Sequence, residues 1–199
     1  MPRDRDVAAF DERAQGYEEG WLGRLHHEIA DRTAQLALAQ HPAPRRVLDV
    51  GCGTGYLLRQ LAARAPEAVE LAGVDAAADM VRVARESTTD PRARFQASPA
   101  EHLPEPGGAF DLVVSTTSFD HWADQQAGLR ECARVLVPGG CLVLVDQFSP
   151  LYLPTLIGSR RGKARTRRRA TRLLTTAGFR SPQWHALYAV VIRAVTALK

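Results

Sequence analysis

An acidic residue and three alternating glycines form the stretch of this sequence best suited to bind a ligand. Asp49 is followed by Gly51, Gly53 and Gly55, and it lies within a short apolar run rich in β-branched side chains. Such a run is typical of a buried parallel strand. The glycines let the chain turn sharply and let a ligand approach the backbone without obstruction by a Cβ atom. From Tyr56 onward the leucines recur at helical spacing, which predicts that a helix begins there. A ligand at the turn would therefore meet free N–H groups at a helix N-terminus.

The loop lacks the residues of two common nucleotide-binding motifs. A dinucleotide fingerprint needs a third glycine where this loop has Tyr56 or Leu58, depending on the frame. A phosphate-binding P-loop needs a lysine, and the loop contains none. The remaining pattern is a carboxylate followed by alternating glycines, which suits a ligand that carries both an amino group and a carboxylate.

This pattern resembles motif I of the class I S-adenosylmethionine-dependent methyltransferases. Three further segments resemble that family in the same order along the chain. Residues 71–75 read as a second apolar strand ending in an acid, residues 110–115 as the fourth-strand motif, and residues 134–140 as the turn before the fifth strand. The resemblance implies S-adenosyl-L-methionine as cofactor, S-adenosyl-L-homocysteine as product, and methyl transfer to an oxygen, nitrogen or carbon atom of a small molecule.

The same resemblance implies an α/β fold of the Rossmann-like kind. The expected sheet has seven mostly parallel strands flanked by helices, in the order 3-2-1-4-5-7-6 with the last strand antiparallel. The expected organisation is one globular domain, in which an N-terminal helical lid segment (1–42) precedes the methyltransferase domain (43–199). The length of 199 residues and the apolar content of 45% suit one domain with a sizeable core. Near the C-terminus, residues 179–197 are expected to hold the last two strands, with residues 188–192 the most strand-like stretch.

The resemblance also assigns cofactor contacts. The glycine loop and Asp49 are expected to hold the methionine part, and Asp75 is expected to accept from both ribose hydroxyls. Pro99 stands where the family has an acid that binds the adenine amino group, so another group must serve there. The expected contacts outside the glycines are Tyr17, Asp49, Asp75, Ala76, Met80, Ala100, Glu101 and Ser115. The alternative for Tyr17, packing against the N-terminal helix, stays open.

His121 is the candidate general base. It follows the predicted fourth strand, and ligands of open α/β sheets bind beyond the carboxyl ends of the strands. Imidazole is suited to removing a proton near neutral pH. The alternative is that His121 packs at the start of the next helix. His26 and His27 have no partner at metal-ligand spacing and are interpreted as surface or lid residues, and no metal site is predicted.

Charge is unevenly distributed along the chain. Residues 1–146 hold 15 of the 26 basic side chains and all 22 acidic ones, whereas residues 147–199 hold the other 11 basic ones and no acid. The basic segment 160–172 is interpreted first as a solvated or dimer-contacting face, second as an entrance for an anionic small molecule, and third as an RNA surface. Binding to nucleic acid is disfavoured because no aromatic residue is interleaved with these charges. A nucleic-acid methyltransferase and a cofactor-binding protein without methyl transfer remain the two alternative functions.

Cysteine usage and hydropathy predict a reduced, cytoplasmic protein. We expect it to be either a monomer or a homodimer. The three cysteines, Cys52, Cys132 and Cys141, are too few for a disulfide framework, and no two have Cys-x-x-Cys spacing. No apolar run approaches the length of a membrane span, and the charged N-terminus does not resemble a secretory signal. We therefore expect no membrane association.

Overall fold

The computed structural model describes residues 5–148, 166–189 and 191–199. Within these residues the chain forms one seven-stranded sheet with helices on both faces. The helices are α1 (Arg5–Arg13), α2 (Gly20–Gln40), α3 (Tyr56–Arg64), α4 (Ala78–Ser87), α5 (Gln125–Val135) and α6 (Arg167–Thr176). The strands are β1 (Arg46–Val50), β2 (Glu70–Asp75), β3 (Ala93–Ala97), β4 (Phe110–Thr116), β5 (Leu136–Gln147), β6 (Arg180–Tyr188) and β7 (Ile192–Leu198).

The sheet order β3-β2-β1-β4-β5-β7-β6 confirms the predicted topology. Strands β1 to β5 pair in parallel, and β7 runs antiparallel to both β5 and β6. Successive strands β2 and β3 lie on one side of β1, and β4 and β5 lie on the other. The boundary between β1 and β4 is therefore the switch point where ligands of such sheets bind. The loops that follow β1, β2, β4 and β5 therefore meet at one edge.

Alternating side chains along the central strands bury both faces of the sheet. On one face, Val47, Leu112 and Val143 pack in a cluster with apolar residues of α2, α3 and α4. On the other face, Leu48 and Val113 pack in a cluster with residues of α5 and α6. The strands are thus held rigidly, and only the residues at their carboxyl ends reach the edge where the loops meet.

The two strands predicted within residues 179–197 are present, but residues 188–192, predicted to be the most strand-like stretch, span the turn between them. β6 ends at Tyr188 and β7 begins at Ile192, and these two residues face each other in the antiparallel pair. The chain between them must reverse direction, and Ala189 accordingly has a φ of +47°. Val190 lies outside the described residues. The preference of β-branched residues for strands is weak, and here the pairing of β6 with β7 overrides it.

The predicted basic segment lies partly outside the described residues. Its described part includes Arg167, Arg168, Arg169 and Arg172, which are exposed on α6. No helix in the described part of the chain is long and apolar enough to cross a membrane. Across the same residues, no group of three or more His, Cys, Asp or Glu side chains is placed to hold a metal ion.

Candidate active site

Two adjoining cavities lie at the edge of the sheet where β1, β2 and β4 end. The larger cavity has a volume of about 270 Å³ and the smaller about 70 Å³. Both are lined by Tyr17, Gly51, Gly53, Thr116 and Thr117. The larger cavity also contains six of the other predicted site residues, namely Asp75, Ala76, Met80, Ala100, Glu101 and His121. The smaller cavity contains Asp49.

The glycine loop is built so that one of its glycines cannot be replaced. Gly51 has a φ of +78°, and a Cβ atom there would lie 2.2 Å from Ser118 Oγ. Gly55 also has a positive φ and, unlike Gly51 and Gly53, lines neither cavity. It starts α3, and a Cβ atom there would lie 2.9 Å from the Phe95 ring.

Asp75 connects the end of β2 to the glycine loop. Its Oδ2 accepts a hydrogen bond from the Gly53 N–H (2.8 Å), and its Oδ1 accepts from the Ala77 N–H (2.9 Å). Burial raises the pKa of this carboxyl, while the two amide bonds act in the opposite direction. Each carboxylate oxygen can accept a second hydrogen bond, so Asp75 retains acceptor capacity toward the larger cavity that it lines.

Asp49 is a buried acid whose Oδ1 has no hydrogen-bond partner within the described part of the chain. Its side chain is only 2% exposed. Burial, and secondly the charge of Asp75, raise the pKa of Asp49 to about 8. A buried polar group without a partner is costly, and a native structure retains one where a ligand completes it. A cation beside Asp49 would satisfy the carboxylate and relieve its repulsion with Asp75.

The N-terminal helices cover the site. Phe10 of α1 and Tyr17 line the larger cavity, and their rings meet edge to face at 6.3 Å. Tyr17 also stacks on His26 of α2 with ring centroids 4.9 Å apart, and burial raises the Tyr17 pKa to about 12. Tyr17 therefore packs on α2, and it also lines both cavities.

A polar cluster joins this N-terminal cover to the glycine loop. Glu18 Oε1 accepts hydrogen bonds from Thr54 Oγ1 (2.6 Å) and from Arg59 Nη2 (2.7 Å). His27 Nε2 lies 3.1 Å from Glu18 Oε2, and the His27 ring stacks on Tyr56 at 3.7 Å. His27 is therefore a member of this cluster, not simply a surface residue. The sequence did not identify Glu18 as a member of this site, because no local pattern distinguishes it from the other acids of the chain.

The predicted adenine side of the larger cavity is mostly apolar. Met80 is fully buried at its wall, next to Ala76 and Ala100. Glu101 also lines it, although its Oε1 accepts from the Asp124 N–H (2.7 Å) and so fixes the chain before α5. The Ser98 hydroxyl donates to the His102 carbonyl (2.5 Å) and keeps its acceptor lone pairs, so Ser98 and Glu101 can both accept a hydrogen bond in place of the missing acid.

Ser115, predicted to contact the cofactor, lines neither cavity and is completely buried. Alternation along β4 turns its side chain beneath the loop, where its Oγ lies 2.9 Å from Ser118 Oγ. Ser118 lines the larger cavity and donates to the Val50 carbonyl (3.0 Å). Ser118 therefore borders the larger cavity, and Ser115 contacts Ser118 from beneath.

His121 lies on a short 3-10 turn after β4, with its side chain exposed at the rim of the larger cavity. Its ring meets Phe10 edge to face at 5.0 Å. The turn is anchored from below, because the buried Asp146 Oδ2 accepts from the Asp120 N–H (3.0 Å). The Gln125 side chain also donates to the Phe119 carbonyl (2.9 Å).

Comparisons with known proteins agree with this geometry. Residues 47–140 match the family model described as "Methyltransferase domain". The demethylmenaquinone methyltransferase of Deinococcus radiodurans is 39% identical over 137 residues, which are 68% of this chain and 52% of that protein. The malonyl-[acyl-carrier protein] O-methyltransferase of Geobacter sulfurreducens is 35% identical over 187 residues, which are 87% of this chain and 69% of that protein. The chain belongs to the class I methyltransferases.

The fold of this chain is also that of a solved structure. The Haloferax volcanii chain solved in complex with the Trm112 methyltransferase activator superposes with a TM-score of 0.81 at 21% identity, covering 100% of this chain and 99% of that one. Such a likeness concerns the fold alone. By contrast, the methyltransferase spans only about half of the Deinococcus protein, at 52% of its length.

The buried acid of this methyltransferase predicts an unusual pH dependence of stability. The pKa of Asp49 rises from 3.8 to about 8 on folding, so the unfolded chain loses this proton at lower pH than the folded one. The carboxyl therefore costs stability progressively as pH rises from about 4 to about 8. We expect Asp49→Asn to raise the melting temperature of the unliganded protein at pH 8 by more than at pH 5. Thermal unfolding at both pH values measures this, and an equal shift would place the Asp49 pKa near its ordinary value.

Proposed function

We propose that the protein transfers the methyl group of S-adenosyl-L-methionine to a small-molecule nucleophile. The observation that carries the proposal is a pair of acids, the buried Asp49 and the half-buried Asp75, at the ends of neighbouring strands beside the glycine loop. Asp49 Oδ1 has no hydrogen-bond partner in the described part of the chain. S-adenosyl-L-methionine carries an ammonium group, a sulfonium centre and a ribose diol, so it supplies both positive charge and hydroxyl donors. The methyltransferase names of the relatives support the same function.

Three groups of lining residues would hold the methionine, ribose and adenine parts of that cofactor. Asp49 would accept from the ammonium group, with the backbone of Gly51 and Gly53 alongside the methionine portion. Asp75 would accept from the two ribose hydroxyls through its remaining lone pairs. The apolar wall of Ala76, Met80 and Ala100, with Glu101 beside it, would hold the adenine. Tyr17 lines both cavities and would contact the methionine end from the N-terminal cover.

When bound, the cofactor would supply an electrophilic methyl group: an attacking atom bonds to the methyl carbon as the carbon–sulfur bond breaks, and the thioether leaves. The protein's task is then mainly to align the reactants and exclude water. Phe10 and Tyr17 provide the cover that excludes water from the larger cavity. Where the attacking atom is a hydroxyl oxygen, His121 at the rim would take its proton. The rigid anchoring of its turn by Asp146 would keep the imidazole in place.

Methyl transfer from cofactor labelled in the methyl group, across a panel of phenols, amines, carboxylates and RNA, tests the proposal. We expect label in a small molecule, and calorimetric binding of S-adenosyl-L-homocysteine. Label in RNA, with tight binding at physiological salt, would instead favour the nucleic-acid alternative, since purely electrostatic RNA binding weakens steeply as salt rises. Cofactor binding without transfer to any acceptor would favour the non-methylating alternative. A folded protein that does not bind S-adenosyl-L-homocysteine would refute the proposal.

A further inference from the structure

Thr54, which lies between two glycines of the glycine loop, is held at both its hydroxyl and its carbonyl. Its hydroxyl donates to Glu18 Oε1 (2.6 Å), and its carbonyl accepts from Arg59 Nη1 (2.7 Å). Arg59 Nη2 donates to the same Glu18 oxygen (2.7 Å). The three residues thus form a hydrogen-bonded ring that joins the glycine loop and α3 to the segment before α2. The proposed function gives this ring no role.

Glu18 lines the smaller cavity, yet its carboxylate is already bound by groups of the protein. Its Oε1 accepts within the ring, and its Oε2 lies 3.1 Å from His27 Nε2. Burial raises the pKa of Glu18, but the hydrogen bonds from Thr54 and Arg59 outweigh burial and the net shift is downward. Glu18 is therefore ionised at neutral pH, with Arg59 compensating its charge. It suits a role in positioning the loop better than a direct contact with the cofactor's ammonium group.

The backbone of Glu18 is fixed on α2, directly after the N-terminal cover formed by α1 and the turn up to Tyr17. The Glu18 carbonyl lies so close to Gly23 that a Cβ atom at Gly23 would be 2.1 Å from it. Tyr17, the residue before Glu18, lines both cavities. The Glu18 side chain therefore attaches the end of the cover to the glycine loop.

A second hydrogen bond attaches the other end of the cover. Asp11 Oδ1 accepts from the Asp79 N–H in the first turn of α4 (2.9 Å). Asp75 in turn accepts one amide hydrogen bond from the residue before Thr54 and one from the N-cap residue of α4. Both attachments of the cover thus reach segments that also hold Asp75, the acid expected to bind the ribose.

We propose that Glu18 is a positioning residue, which acts through Thr54 to keep the glycine loop and the N-terminal cover closed around bound cofactor. The inference rests on the proposed function, because it needs the cofactor in the two cavities. The cover contributes Phe10 and Tyr17 to the larger cavity, so detaching the cover from the loop exposes a bound ligand to solvent. Loss of the hydrogen bond between Glu18 and Thr54 then speeds release of the ligand more than it slows binding.

The dissociation rate of S-adenosyl-L-homocysteine, measured by surface plasmon resonance, tests this role. We expect Thr54→Val and Glu18→Ala each to raise that rate by about tenfold or more, the lower end for a lost hydrogen bond to a charged group. Thr54→Ser keeps the hydroxyl, so its rate should stay within about twofold of the unmodified protein. The double variant should dissociate at most about twofold faster than the faster single variant, because both changes remove the same interaction.

Limited proteolysis gives a second readout, which follows the cover itself. Trypsin cleavage after Arg13, identified by mass spectrometry, depends on how often the cover opens. We expect saturating S-adenosyl-L-homocysteine to slow this cleavage by at least about tenfold in the unmodified protein, since such cleavage tracks the population of the open form. In Thr54→Val saturated with the same ligand, the slowing should fall to about threefold or less.

Arg64→Gln is the matched control, because the ion pair of Arg64 with Asp31 (3.0 Å) also joins α3 to α2 but lies outside both cavities. It should change neither dissociation nor cleavage. A Thr54→Val protein with a lowered melting temperature but an unchanged dissociation rate would show a role in stability alone and would overturn the proposal. Additive effects in the double variant, or an equal effect of Arg64→Gln, would also overturn it. Failure of the unmodified protein to bind S-adenosyl-L-homocysteine would refute the proposed function instead.

Discussion

Replacement of His121 by alanine is expected to lower turnover by about 10²–10⁴-fold, the usual loss when a general base is removed. His121 lies at the rim of the larger cavity, on a turn anchored from below by Asp146. Affinity for S-adenosyl-L-homocysteine should change little, because the acids Asp49 and Asp75 remain. Steady-state kinetics on the acceptor identified by the labelled-methyl assay, together with calorimetry, measure both quantities.

His102→Ala provides the matched control for this variant. His102 is exposed and lies outside both cavities, so its loss should leave turnover unchanged. A loss of less than about fivefold for His121→Ala would be too small for a general base. In that case the edge-to-face contact of His121 with Phe10 would be its main contribution, and the role would be packing of the N-terminal cover.

Replacement of Asp75 by alanine is expected to weaken S-adenosyl-L-homocysteine binding by at least about tenfold, or ~1.4 kcal/mol. Charge-assisted hydrogen bonds to ribose hydroxyls are worth about 1.5–3 kcal/mol each at most. Asp75 also accepts from the Gly53 and Ala77 amides, so its loss removes an anchor of the glycine loop as well. Calorimetry on the folded variant measures the change.

Two further variants separate these contributions. Asp75→Asn retains a carbonyl oxygen for one backbone amide, so it should preserve more loop order than alanine while still weakening the ligand. Asp31→Ala is the control, since Asp31 pairs with Arg64 (3.0 Å) and lines neither cavity. Unchanged affinity in a folded Asp75→Ala protein would exclude Asp75 from the ligand site.

The sequence by itself determined the features that depend on neighbours along the chain. The strand–loop–helix unit around Gly51 is encoded by a short apolar run, alternating glycines and a helical leucine spacing. Asp49 and Asp75 could be identified as candidate site residues because each lies near the end of an apolar strand. The strand order was predicted from the family resemblance. Local patterns work here because burial on both faces of a parallel strand demands a continuous apolar run.

Only the tertiary structure decided which residues far apart in the sequence contact one another. Glu18 meets Thr54 across 36 positions and Arg59 across 41, and nothing near Glu18 in the sequence announces either partner. The choice between Ser115 and Ser118 at the cavity wall depends on which way β4 presents each side chain, and residues 188–192 become a turn because β6 must pair with β7. The absence of a partner for Asp49 Oδ1 among the described residues is equally invisible in the sequence, because an unmade hydrogen bond is defined only once every neighbouring group has found its partner.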